Sequence, residues 1–379
     1  MTKILNTIKS YRFRYFNIRL VIWVMLLTIL GINVIASATD SDIYEKKQVL
    51  GFILGLFIMV AAALFSYRFV LRFYWLLYLL NLGLLVWVKY GGAYRMGATR
   101  WIDLGFFQLQ PSEFSKLFLI LFFAKYLHKY REKLNTLPVL GGAVVLFAIP
   151  LALVLKQPDL STSIVISLMF CGIMYVAGLS YKIIGALFAI AIPVAAVLLY
   201  MLLQPDQKIL EEYQYNRLVG FYDKNNEIAA RINYQQVNSV MAIGSGGLWG
   251  KGLNNNTTTS VKNGNYISEP QTDFIFCIVG EELGFVGASA VIILLFLIIM
   301  ECFIIGAHAP DLAGRIIACG FGTLIAVQSF VNIGVVTMLI PNTGLPLPFV
   351  SYGLSSLLSL FPGVGIILNI GMQRKNTIY

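Results

Sequence analysis

Charge is scarce in this sequence. Asp, Glu, Lys and Arg make up 12% of its 379 residues, whereas hydrophobic residues make up 58%. No soluble domain or disordered chain has that balance, and what remains is a polytopic, all-α membrane protein. Histidine is rarer still, with only His128 and His308, both in segments expected on the cytoplasmic side. A histidine-based metal centre is therefore not expected. The four cysteines (Cys171, Cys277, Cys302, Cys319) lie in or beside apolar segments without a CxxC spacing, which excludes a disulfide framework and a cysteine metal site. There is no internal repeat, and no low-complexity tract beyond NNNTTTS at 254–260. The net charge of +10 carries no nucleic-acid motif and is expected to face anionic membrane lipid.

What is abundant is long apolar runs. A span needs roughly 20 mostly apolar residues, and ten segments qualify: 20–39, 48–67, 70–88, 112–127, 137–155, 160–181, 183–204, 283–300, 314–340 and 346–372. The fourth is the weakest because it carries Lys116 and Lys125. The first follows a basic stretch and ends in VIASA, but its apolar run exceeds the roughly 7–15 residues of a signal peptide, so it reads as a retained span. With ten spans both termini share one side. Fifteen Lys and Arg fall in segments that are inside if the N-terminus is cytoplasmic, against seven in short outer segments; six more lie in the long 205–272 loop, which does not set orientation. Both termini are therefore expected in the cytoplasm. Of the carboxylates only Glu132, Glu301 and Asp311 fall inside. The expected organisation is one integral membrane domain over 1–379, with 205–272 as a long extracytoplasmic loop between the seventh and eighth spans.

The short cytoplasmic loops leave the chemistry to the outer side, where four stretches stand out. YGGAYRMGATRWIDLGFFQLQPSEFSK, from Tyr90 to Lys116, is punctuated by Gly97, Gly105 and Pro111 and reads as irregular loop. Arg100 and Trp101 fit an interfacial belt and, alternatively, a cationic clamp on a phosphorylated headgroup. Glu113 and Lys116 lie i,i+3 at the start of the next helix. In KQPDLSTS (156–163) Asp159 can cap a helix and can also face a central cavity. AIGSGGLWGKGL (242–253) could form a nest of backbone N–H groups for pyrophosphate beside Lys251, or simply a flexible loop. It is no Walker A motif, because Gly252 follows the lysine. Upstream, Arg217 and Arg231 add charge, and 227–243 has the pattern of a short amphipathic helix on the membrane surface. The last stretch, NIGVVTMLIPNTGLPLPFVSYGLSS (332–356), is apolar, yet Pro341, Pro346 and Pro348 cannot continue a helix. Broken backbone at membrane depth is tolerated only when buried in protein or lining a wet cavity.

Asp273 sits where a helix starts, in SEPQTDFIFCIVGEELGF (268–285). A helix-dipole role there contributes about 0.3–1 kcal/mol and competes evenly with a catalytic one. Glu281 and Glu282 lie two turns on, and a charge at the bilayer centre costs at least about 2.5 kcal/mol. Either 273–282 lies along the outer interface or the glutamates face a hydrated cavity.

These motifs, in this order and over nearly the whole chain, resemble the SEDS family (shape, elongation, division and sporulation), the RodA/FtsW class of bacterial cell-wall polymerases. YNRLVGF and YQQVNSVMAIGSGG are most similar to the RodA branch. The resemblance implies a peptidoglycan glycosyltransferase of the bacterial cytoplasmic membrane. Its substrate would be lipid II, a disaccharide-pentapeptide on undecaprenyl pyrophosphate, and its usual partner a class B penicillin-binding protein. It puts the family's essential aspartate at Asp273 and the other motif polar positions at Arg100, Trp101, Glu113, Lys116, Asp159, Arg217, Lys251 and Glu282. On this reading Asp273 is the general base, and Arg100, Lys116, Arg217 and Lys251 face the leaving diphosphate. Asp159 and Glu282 orient sugar hydroxyls or hold Mg²⁺ or Mn²⁺, the candidate cations. The rival readings are a lipid II flippase and a scaffold for the cell-wall machinery. A transporter is expected to show two related halves with polar residues near the midplane, whereas here the polar residues gather at one rim.

Overall fold

The computed structural model describes residues 13–373 except 40, 96–97, 104, 106–107, 203, 205–214, 216–226, 255–259, 261–263, 265 and 268. It is built of long helices: α1 (Ile18–Ala38), α2 (Asp42–Leu64), α3 (Tyr74–Gly91), α4 (Pro111–Lys129), α5 (Leu137–Leu155), α6 (Leu160–Ala177), α7 (Tyr181–Leu202), α8 (Glu227–Ser245), α9 (Ile275–Ala307), α10 (Leu312–Val336) and α11 (Leu354–Met372). Eight of them, α1, α2, α3 with its preceding turn, α5, α6, α9, α10 and α11, are long and apolar enough to cross a membrane. α4 and α7 fall on the fourth and seventh expected spans. The helix starts carry their signals. Asn17 accepts from Leu20 N in α1, Ser41 from Ile43 N in α2, and Pro111 opens α4.

α10 and α11 are buried over most of their surface, while α2 and α3 bury one face and leave Phe57, Leu76 and Leu79 exposed toward the lipid. α10 packs on α9, α6 and α4, and α11 lies along α2. With no water to compete for backbone groups, such helices satisfy their own hydrogen bonds and pack through side-chain contact.

Three expectations change. The stretch read as loop after the third span holds a small antiparallel sheet, β1 (Ala93–Arg95), β2 (Ala98–Asp103) and β3 (Gln108–Leu109), ordered β1-β2-β3. Thr99, Trp101 and Ile102 favour extended backbone, and Ile102 is buried beneath it. The eighth span starts where expected, after a break at Gly284, but a further helical stretch from Ile275 precedes it. α9 is thus two helical stretches that meet at Gly284 (φ 63°, ψ −164°). The last two spans are shorter at the Pro-rich stretch, because α10 ends at Val336 and α11 starts only at Leu354. The backbone between them turns through positive φ at Met338, Gly344 and Phe349.

α8 forms where the amphipathic pattern predicts, but its polar side is the one that is buried. Asn233, Gln236 and Ser239 face the protein, whereas Tyr234, Val237 and Met241 are exposed. The cause is the end of α10, whose last carbonyls lack helical partners. Gln236 Nε2 donates to Val335 O (2.8 Å) and Ile340 O (2.9 Å), and Ser239 Oγ to Val336 O (2.8 Å).

At the opposite end of the bundle Asp311 ties the start of α10 to the turn that precedes α3. Its Oδ1 accepts from Gly314 N (2.8 Å), and its Oδ2 accepts from Tyr67 OH (2.8 Å) and Arg68 Nε (3.1 Å). Burial pushes the carboxyl pKa up, but the Gly314 N–H, the Tyr67 hydroxyl and the Arg68 charge outweigh it and hold it below the usual carboxylate value. A pKa depressed on folding adds stability above the unfolded value, and that stability is lost as pH falls through the folded one. Asp311→Ala is therefore expected to cost about 1–2 kcal/mol at neutral pH, read as a lower thermal midpoint in detergent. The gap to wild type should close as pH drops below the carboxylate range. Arg68 is half exposed, so most of the cost is the lost cap and hydroxyl bond rather than the ion pair.

Candidate active site

Helix alternation carries the starts of α2, α4, α6, α9 and α11 and the ends of α1, α3 and α10 to one end of the bundle. Arg100, Trp101, Glu113, Lys116, Asp159, Lys251, Asp273, Glu281 and Glu282 all belong to these ends or to the segments joining them. Arg217 lies outside the described residues.

Asp273 is half-buried in the turn that leads into α9, and Phe274, not Asp273, is the N-cap residue. Its carboxylate faces the segment between α10 and α11. A Cβ placed on Gly344 would sit 3.1 Å from Asp273 Oδ2, and Gly344 has φ +70°. Glycine at 344 thus allows that backbone shape and close approach to the carboxylate together.

Behind Asp273 runs a buried polar chain. Lys116 Nζ lies 2.7 Å from Glu113 Oε1 and 2.8 Å from Gln328 Oε1, and Gln328 Nε2 donates to Pro346 O at 2.9 Å. The Lys116 and Glu113 side chains are 1% and 2% exposed. The charge of Lys116 is thus directed at Glu113 and a neutral amide rather than at the surface.

Arg100 donates from Nε to Gln157 O (3.2 Å) and from its terminal NH₂ to Pro158 O, which ties β2 to the turn between α5 and α6. Trp101, beside it in β2, pairs with Ala93 and is half-buried. Asp159 takes the capping role: its Oδ1 accepts from Thr162 N (3.1 Å) at the start of α6, and the residue is 4% exposed. Ser161 Oγ donates to Thr343 O, so α6 also holds the segment that faces Asp273.

The glycine-rich stretch 242–253 is neither a free nest nor a loose loop. Gly250 N donates to Gly246 O, Lys251 N to Glu281 O and Gly252 N to Glu282 O, at 2.8–3.0 Å. Phe285 N and Val286 N return bonds to Gly247 O and Leu248 O. Two of the N–H groups considered for a pyrophosphate cradle, those of Lys251 and Gly252, instead satisfy carbonyls beside the break at Gly284. A Cβ on Gly250, where φ is +78°, would run into the Glu282 carbonyl. Gly250→Ala is thus expected to destabilise the fold by about 1–3 kcal/mol, visible as a fall in thermal midpoint.

Glu281 and Glu282 turn into the protein rather than toward an interface or an open cavity, each 1% exposed. Glu281 Oε1 lies 2.7 Å from Lys251 Nζ, and Glu282 Oε1 accepts from Ser37 Oγ at 2.6 Å. Asn254 N donates to the same serine at 2.9 Å, drawing α1 into the cluster. Among the described residues no group of three or more His, Cys, Asp or Glu could hold a metal ion.

Sequence reasoning passed over Gln328, Asn332, Ser351, Gln48 and Ser37. The available signal was an amide or hydroxyl inside an apolar helix, which has to find a partner when water is absent.

The fold and site define a multi-pass membrane protein with one polar end built around a half-buried aspartate. The family model for the cell cycle proteins FtsW, RodA and SpoVE matches residues 14–376, and the chain belongs to that family. It is 36% identical over 343 residues to the peptidoglycan glycosyltransferase MrdB of Escherichia coli K12, covering 90% of each chain. Among solved structures it resembles a chain from a study of how a peptidoglycan synthase complex coordinates polymerization and crosslinking. There the TM-score is 0.80 at 27% identity, over 94% of this chain and 97% of that one. It also resembles the rod shape determining protein RodA of Thermus thermophilus, with a TM-score of 0.69 at 27% identity, over 97% and 98% of the two chains.

Proposed function

We propose that this protein is a peptidoglycan glycosyltransferase that polymerises lipid II on the outer face of the bacterial cytoplasmic membrane, in the branch serving elongation and cell shape. The observation that carries the reading is Asp273: a half-buried carboxylate facing a Pro/Gly-rich segment at the polar end of the bundle. The family, and the glycosyltransferase name of the Escherichia coli relative, support it. The rod-shape name of the Thermus relative favours the elongation branch.

A sugar hydroxyl attacks poorly until its proton is taken. Asp273 accepts the proton of the acceptor's 4-hydroxyl. That oxygen forms a bond to the donor's anomeric carbon, the bond from this carbon to the diphosphate oxygen breaks, and undecaprenyl pyrophosphate leaves with the electron pair. Negative charge grows on the diphosphate, so fixed cations near it lower the barrier. Arg100 and Lys251, both half-buried, are the cations assigned to it, with Arg217, outside the described residues, as a further candidate from the sequence, and Trp101 supplies an apolar surface. Glu113, Lys116, Asp159 and Glu282 act from behind by fixing the elements that carry the site. No step is assigned to a divalent cation. The partner we assign is a class B penicillin-binding protein, in keeping with the synthase complex to which the chain's fold is similar.

The test is a gel of labelled lipid II incubated with purified protein, with and without a class B partner and with EDTA. Glycan ladders made by the purified protein support the reading, and their survival or loss in EDTA shows whether a divalent cation takes part. Lipid II crossing a bilayer without any polymer would replace it with transport.

A further inference from the structure

The turn carrying Asp273 is held by its backbone, and the holders come from two distant places in the sequence, Asn332 and the pair Ser351–Tyr352. Three successive carbonyls are engaged. Gln271 O accepts from Tyr352 N (2.9 Å), Thr272 O from Ser351 Oγ (2.6 Å) and Asp273 O from Asn332 Nδ2 (2.8 Å). Asn332 uses its one amide nitrogen twice, donating also to Leu345 O at 2.6 Å. Ser351 likewise acts on both sides, because its Oγ accepts from Leu347 N at 2.7 Å. One turn from Asn332 along α10, Gln328 takes the next carbonyl, that of Pro346. Gln48 on α2 closes the other end, donating to Ser351 O (3.1 Å) and accepting from Gly353 N (3.2 Å). Gln48, Gln328 and Asn332 are each at most 1% exposed and Ser351 is 3% exposed. Asn332 Oδ1 is buried without a partner, so its hold comes from the amide nitrogen alone, and moving any of these donors would leave further carbonyls unpaired in a low dielectric.

We infer that Asn332 and Ser351 are positioning residues that lock the Asp273 turn and the 341–353 segment into a single unit, so that the carboxylate and the wall it faces keep a fixed separation. The inference rests on Asp273 being the base. Neither residue touches substrate. Each acts through the backbone of Asp273 or of its neighbour Thr272. Gln328 and Gln48 support the same unit from either flank. A reacting group displaced by about 1 Å loses on the order of 10²-fold in rate.

The experiment compares Asn332→Leu, Ser351→Ala and Ser351→Thr in the full chain, by lipid II turnover per folded molecule and by hydrogen exchange. Asn332→Leu and Ser351→Ala are expected to lower kcat on the order of 10²-fold with little change in KM, and Ser351→Thr, which keeps the hydroxyl, to restore most of it. Amides at 345–352 should exchange roughly tenfold faster in the first two variants, with α9 beyond Gly284 and α10 unchanged. A role in stability alone would lower the folded fraction while kcat per folded molecule stayed at wild type, and that result overturns the inference. So does unchanged exchange at 345–352. Exchange is read without turnover, so it separates the two ideas. Faster exchange together with a fully active Asp273→Asn would leave the lock in place and remove the base.

Discussion

Asp273→Asn is expected to leave a folded protein that has lost about 10²–10⁴-fold of its polymerising rate, the usual worth of a positioned general base. Asn matches Asp in size and keeps the backbone carbonyl that Asn332 holds, so the turn stays in place and only the basic oxygen is lost. The thermal midpoint should hardly move. The alternative role, an acid near a helix start, predicts the reverse pattern: a stability loss of about 0.3–1 kcal/mol with the rate intact. Phe274 as the N-cap residue argues against capping, and turnover and melting measured on one preparation decide between the two.

The second large effect is structural. Lys116→Met should destabilise the protein by about 3–5 kcal/mol, because it leaves Glu113 charged and buried without its cation. Glu113 and Lys116 are nearly inaccessible, and their 2.7 Å contact lies under the 341–353 segment. Adding Glu113→Leu to Lys116→Met removes the stranded charge and should recover most of the loss, since replacing a whole buried pair by apolar groups is often neutral. Denaturant unfolding of the single and double variants gives the answer. A single-variant cost below about 1 kcal/mol, the range of an exposed pair, would mean that the lysine meets water and is free for the diphosphate.

The helices were legible because apolar runs of span length have few other solutions, and the segment 341–353 because Pro341, Pro346 and Pro348 deny it a helix. The gathering of Arg100, Asp159, Lys251 and Asp273 at one end followed from alternation of the spans. Less visible was anything set by a partner distant in sequence. The stretch 242–253 read as an anion cradle or a flexible loop because the carbonyls of Glu281 and Glu282, which take the Lys251 and Gly252 N–H groups, were not visible as partners. Glu281 and Glu282 read as charges at an outer interface or a hydrated cavity because Lys251 and Ser37, 30 and 245 residues away, could not be seen as their partners. α8 looked like a surface helix because amphipathic pattern gives two faces without saying which is buried. Its polar face turned inward to serve the end of α10. β1–β3 are too short for alternation to stand out among glycines.

Asp273 can serve lipid II only if it opens to the outer face of the membrane, and thiol labelling tests this most directly. In a chain with Cys171, Cys277, Cys302 and Cys319 replaced by serine, single Asp273→Cys and Lys133→Cys variants are exposed in intact cells to a maleimide that does not cross membranes. The predicted result is modification at 273 from outside, and at 133, at the opposite end of the bundle, only after permeabilisation. Labelling at 133 from outside, with 273 reached only from the cytosol, would contradict the account.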